Sequence, residues 1–68
     1  MIKFELSTKR MCGIAIYMMV DNDPSTTHLI FNGGVTETVE KLRQLKKAIP
    51  FAIFKWEDGE EIDVKEDD

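Results

Sequence analysis

The chain has 68 residues and a formal net charge of −4, with 43% hydrophobic and 32% charged residues. This composition is that of a globular protein, and the size admits one domain, expected over residues 1–64 with a frayed acidic tail at 65–68. A single cysteine excludes an internal disulfide, and the longest apolar run, residues 11–20, is about half of the ~20 residues that a membrane helix needs. We therefore expect a cytoplasmic protein that does not enter a membrane.

Three strand patterns come first along the chain. Residues 2–6 alternate apolar and polar side chains, which predicts a half-buried strand with its even-numbered residues inward. Residues 11–20, MCGIAIYMMV, are apolar on both faces and rich in β-branched and aromatic side chains, which predicts a central strand. The turn formers DNDPS at 21–25 reverse the chain, and residues 27–32 return as a third strand.

A helix is predicted next, from about residue 37 to residue 49, with Thr36 as its N-cap and Pro50 at its end. Its acidic residues occupy the first turns and its lysines the last turn, as the helix dipole favours. This helix explains most of the positive charge without forming a basic patch, so we do not expect direct nucleic-acid binding. Five apolar side chains fall on one face, suited to lie on a sheet: Val35, Val39, Leu42, Leu45 and Ile49.

The remaining residues predict a hairpin with strands at 51–56 and 60–64. A two-residue loop would place aromatic side chains beside acids. A three-residue loop, with Gly59 left-handed, instead pairs Lys55 with Glu61 and apolar residues with one another, and we favour that register. The predicted fold is α+β, a small antiparallel sheet made of a three-stranded meander plus this hairpin, with one amphipathic helix packed on it, in the order β-β-β-α-β-β.

The acidic end of the chain is the main indication of function. Its last twelve residues carry eight carboxylates and one lysine. Trp56, of a residue type enriched in binding hot spots, precedes five carboxylates at or beside the predicted turn, which are Glu57, Asp58, Glu60, Glu61 and Asp63.

DNA carries one phosphate per ~3.4 Å of each strand, so such a patch offers a basic groove a substitute for a short stretch of backbone. We expect a small non-enzymatic inhibitor or modulator that binds a protein with a basic surface, for example a nucleic-acid-handling protein. Compact modules of this kind suit phage or mobile-element regulators. The plainer interpretation is a solvated charge run that protects a sheet edge and keeps the chain soluble.

A second interpretation is a structural module that self-associates as a homodimer through the strand at 11–20. Met11, Tyr17 and Met19 would then lie on an exposed apolar face. Motifs for chemistry are missing, because His28 has no second soft ligand nearby and the chain lacks a phosphate-binding loop. We expect no enzymatic activity, no metal and no cofactor.

Overall fold

The computed structural model describes residues 1–65 and shows one α-helix, a single 3₁₀ turn at Pro24–Thr26 and a four-stranded mixed sheet. The α+β class with a single helix is confirmed. The wholly antiparallel sheet is wrong, because the fourth strand pairs in parallel with the first. The sheet order is β3-β2-β1-β4, and the elements are β1 Ile2–Ser7, β2 Ile14–Val20, β3 His28–Gly33, α1 Val35–Ala48 and β4 Ile53–Trp56.

The parallel pairing follows from the path of α1. Since β1, β2 and β3 alternate in direction, β1 and β3 run the same way. The helix has 14 residues, or about 21 Å at 1.5 Å per residue, close to the length of the strands. It returns the chain to the end of the sheet where β1 and β3 begin, so the next strand must run parallel to both.

The hydrophobic core lies on the face of the sheet formed by even-numbered residues of β1, as predicted. Phe4, Leu6 and Ile16 are fully buried there, and α1 contributes Leu42. The rings of Phe4 and Phe54 stack with centroids 5.1 Å apart, which joins β1 to β4 through side chains as well as backbone. We call the opposite side, which α1 does not cover, the open face.

The helix begins two residues earlier than predicted. Gly34 is its N-cap, without a side-chain cap, and Thr36 lies in the first turn. Thr38 is buried, and its Oγ1 donates a hydrogen bond to the Gly34 carbonyl over 2.6 Å. Because the first part of the predicted apolar stripe extends past the core, Val35 is 70% exposed and Val39 43% exposed.

The strand predicted at 11–20 begins only at Ile14, since residues 8–13 form the connection from β1 to β2. This connection is attached to β3 by the Asn32 side chain, whose Nδ2 donates to the carbonyls of Cys12, over 2.9 Å, and Ile14, over 3.2 Å. Gly13 is left-handed, with φ 75°. Met11 is consequently a loop residue, and β2 is a central strand paired on both sides, as predicted.

The second strand of the predicted hairpin, 60–64, is reduced to one bridge between Lys55 and Glu61. Its apolar side chains still turn inward, and Ile62 and Val64 pack against the core. We call residues 62–65 the C-terminal strap, because they run between β4 and α1 and line cavities with both. The tail predicted at 65–68 lies outside the described residues apart from Lys65.

Candidate functional site

The acidic hairpin, residues 57–63, has the register predicted from sequence. Gly59 is left-handed at φ 96°, and its N–H donates to the Trp56 carbonyl over 2.9 Å. The N–H of Trp56 donates to the Glu60 carbonyl over 2.8 Å, and the N–H of Ile62 donates to the Phe54 carbonyl over 2.7 Å. These bonds flank the Lys55–Glu61 bridge, so the three-residue loop is confirmed.

Glu57 anchors the hairpin to the end of β1. Its N–H donates to the Leu6 carbonyl over 2.9 Å, and its carboxylate accepts a hydrogen bond from the hydroxyl of Ser7, which is fully buried. The Lys9 ammonium lies 3.9 Å from the same carboxylate, and the Glu57 side chain is 20% exposed. Much of this carboxylate's bonding capacity is therefore used within the protein.

The other four carboxylates of the hairpin are exposed. They belong to Asp58, Glu60, Glu61 and Asp63. Asp58 accepts a hydrogen bond from the Glu60 N–H over 2.9 Å, which closes the turn without neutralising either charge. Within residues 1–65, the ion pairs join other groups, namely the N-terminus with Asp21, Lys9 with Glu57, and Arg10 with Glu5. The hairpin therefore presents four carboxylates that no cation within this described part neutralises by direct contact.

Trp56 lies at the base of the hairpin and belongs partly to the core. In the parallel register it is opposite Leu6, on the face that α1 covers, and it packs against the core cluster. Its side chain is half-buried rather than buried. The structure thus places an aromatic edge next to the four exposed carboxylates.

Tyr17 and Met19 lie together on the open face, whereas Met11 lies in the loop before β2. The Arg10 guanidinium sits 5.1 Å from the centre of the Tyr17 ring and 3.8 Å from a Glu5 carboxylate oxygen. Both Tyr17 and Met19 are half-buried. Their partners across β1 are Glu5 and Lys3, so charged side chains interrupt the apolar face expected for self-association.

Two cavities flank the C-terminal strap. One, of about 330 Å³, is lined by Lys46, Phe54 and the strap, and the other, of about 260 Å³, by Val39, Arg43 and the strap. The Lys46 ammonium donates to the Pro50 carbonyl over 2.8 Å at the C-terminal end of α1. Both cavities lie beside the contact of Ile62 and Val64 with the core. Sequence patterns predicted a strand at 60–64 and therefore did not predict these cavities.

The composition of β3 is a feature that strand patterns alone do not reveal. Its sequence, HLIFNG, contains no Lys, Arg, Asp, Glu or Pro, and the structure places this strand at an edge of the sheet. The signal was available, since strand edges normally carry such residues. The lack of charged residues and proline in β3 becomes informative only when the strand order shows that β3 lies at an edge.

Among residues 1–65, no helix has the length and apolar character needed to cross a bilayer. Nor do His, Cys, Asp or Glu side chains in this range gather in threes or more at a place where they would hold a metal ion. The comparisons with known proteins found no relative, since no family model matches the chain and no curated protein or solved structure is significantly similar to it.

Proposed function

We propose that the protein is a small non-enzymatic binding module, an inhibitor or modulator, whose acidic hairpin binds a basic surface on another protein. The observation that carries this proposal is the set of four exposed carboxylates at 58–63, which no ion pair within the described residues neutralises. Crowded like charges repel each other, and a partner's lysines and arginines relieve that repulsion on binding.

The backbone of the hairpin supports this proposal. Hydrogen bonds on both sides of the Lys55–Glu61 bridge fix the turn, and Glu57 joins it to the buried end of β1. The exposed carboxylates therefore project from an ordered base, so that less conformational entropy is lost on binding than from a free tail. Trp56 supplies an adjacent aromatic edge, suited to the apolar centre of a mainly charged interface.

A nucleic-acid-handling protein is the target class that fits best. Such proteins hold lysines and arginines along a groove spaced for phosphates about 3.4 Å apart, and closely spaced carboxylates occupy such a groove as competitors of the nucleic acid. This target class predicts that binding weakens as salt rises, because screening acts on both sets of charges.

The test compares two variants that remove the same amount of charge. The first, Glu60→Gln with Glu61→Gln, neutralises two carboxylates of the acidic hairpin. The second, Glu37→Gln with Glu40→Gln, neutralises two exposed carboxylates on α1. Each variant and the wild type is immobilised and exposed to lysate of the source cells at low and high salt, and the captured proteins are identified by mass spectrometry.

We expect a partner that the wild type and the α1 variant capture at low salt and that the hairpin variant loses. Equal loss in both variants would mean that net charge alone, and not the acidic hairpin, causes capture. Capture that survives in the hairpin variant at low and high salt would contradict the proposal. Addition of DNA then tests the target class, because a competitor of nucleic acid is displaced by it.

A further inference from the structure

The two edges of the sheet differ in how they are protected. On one side, β4 is followed by the acidic hairpin, which pairs back on it through the Lys55–Glu61 bridge. On the other side, β3 pairs only with β2 among the described residues. We call the outer side of residues 28–33 the β3 edge. Its outward N–H and C=O groups offer a ready site for another strand.

The β3 edge lacks most of the devices that usually prevent such pairing. It carries no Lys, Arg, Asp, Glu or Pro, and Leu29 is 46% exposed. One device is present, a bulge. Ile16 pairs with Phe31 and the next residue, Tyr17, pairs with Leu29, so Ile30 has no partner on β2. The bulge displaces one residue of the ladder with β2 and does not satisfy the outward groups on either side of it.

We propose that the β3 edge pairs antiparallel with the β3 edge of a second copy, forming a two-fold symmetric dimer with a continuous eight-stranded sheet. A two-fold axis perpendicular to an edge strand places that strand antiparallel to its own copy, so the interface is self-complementary. Because residues 28–33 carry no formal charge, two chains of net charge −4 meet there without opposing like charges.

The position of the acidic hairpin supports a second copy as the occupant. The hairpin follows β4, which is at the opposite edge of the sheet from β3. In the dimer the two hairpins therefore lie at the two far ends of the shared sheet, where repulsion between the copies is smallest. Leu29, which pairs with Tyr17 on the open face and is 46% exposed in the single chain, would lose exposure in the dimer, and this burial would stabilise a chain whose own core is small.

This dimer differs from one made through the strand at 11–20. Both sides of β2 are already paired, so that strand cannot extend a sheet, and only its side chains on the open face remain for contact. The β3 dimer also does not depend on the proposed function, since it leaves both acidic hairpins uncovered. Loss of dimerisation and loss of partner capture are therefore expected to respond to different substitutions.

The first test measures the mass of the full chain by sedimentation velocity over a wide concentration range. Leu29→Lys places a charge on the β3 edge of each copy, while Phe51→Lys makes the same charge change at a residue that is 79% exposed and precedes β4. We expect twice the monomer mass for the wild type and for Phe51→Lys, and the monomer mass for Leu29→Lys. A wild type that is monomeric at every concentration, or a dimer that persists in Leu29→Lys, would overturn the proposal.

The second test uses the wild type alone and so does not depend on a variant that folds. Hydrogen exchange is followed at two protein concentrations, one below and one above the dissociation constant found by sedimentation. We expect amide exchange in residues 28–33 to slow several-fold at the higher concentration, while exchange in β2 does not change. Concentration-dependent protection confined to the acidic hairpin, or absent from residues 28–33, would refute β3 pairing.

Discussion

The two left-handed glycines give the sharpest test of the structure, because alanine is strained at both and obstructed at only one. Gly59, with φ 96°, has no neighbouring heavy atom within 4 Å of the position of an added Cβ. Gly13, with φ 75°, would bring that Cβ to 2.6 Å from the Gly33 carbonyl oxygen, which belongs to the backbone of β3. Backbone atoms in a paired strand cannot move aside as a flexible side chain does.

The expected magnitudes follow from these two environments. A left-handed conformation costs an alanine roughly 1–2 kcal/mol, and this cost applies to both Gly59→Ala and Gly13→Ala. Overpacking at Gly13 adds about 1–3 kcal/mol. A domain of this length has a free energy of unfolding of roughly 3–10 kcal/mol, so Gly13→Ala removes a large part of it.

Equilibrium unfolding in urea, followed by the fluorescence of Trp56, measures both effects. With a urea dependence of about 1 kcal/mol per molar, Gly59→Ala lowers the midpoint by about 1–2 M and Gly13→Ala by clearly more. Equal midpoints for the two variants would refute the close approach of the loop at 8–13 to β3. A harmless Gly59→Ala would refute the left-handed turn that shapes the acidic hairpin.

Three further predictions concern the core, the anchor of the hairpin and the turn after β2. Phe54→Ala removes a stacked, buried ring and should lower the free energy of unfolding by about 3–5 kcal/mol. Phe51→Ala, at a residue that is 79% exposed, should lower it by less than about 0.5 kcal/mol. Similar urea midpoints for the two variants would contradict the assignment of Phe54 to the core. Ser7→Ala leaves a half-buried carboxylate without its donor and should cost about 1–3 kcal/mol, and an unchanged melting curve would speak against that anchor. The side-chain hydroxyl of Ser25, and to a smaller extent its backbone N–H, lower the pKa of Asp23, so Ser25→Ala should raise that pKa in an NMR titration. The stabilisation that these bonds give is present above the ordinary pKa of an aspartate and is lost as the pH falls through the lowered pKa of Asp23.

Several features of the candidate site could be predicted from short stretches of sequence. The register of the acidic hairpin depends on three local facts: a glycine able to adopt positive φ, opposite charges at Lys55 and Glu61, and apolar residues at Phe54 and Ile62. All of them act between residues a few positions apart. Which carboxylates remain free is a different matter. Glu57 has the same chemistry as its neighbours, but it accepts the hydroxyl hydrogen of Ser7, fifty positions away in the chain.

In the helix, too, local spacing predicted one feature and the tertiary structure decided another. The spacing of its apolar residues predicted correctly which face meets the sheet, since Leu42, Leu45 and Ile49 contact the core. The spacing did not tell how far the sheet extends beneath that face, and Val35 and Val39 are exposed because the core ends before them. Thr38, which a hydropathy pattern counts as polar, is buried, and its hydroxyl is satisfied there by a hydrogen bond to the Gly34 carbonyl.

The sequence by itself determined the elements of this protein: strand alternation, an amphipathic helix and turn residues all act within a few positions of the chain. Tertiary structure alone decided where β4 lies. After α1 the chain restarts parallel to both β1 and β3, and no local pattern selects between those two edges. Pairing beside β1 brings Phe54 onto Phe4 and Ile62 and Val64 onto the core. That choice gives one edge the acidic hairpin and leaves the uncharged edge of β3 open.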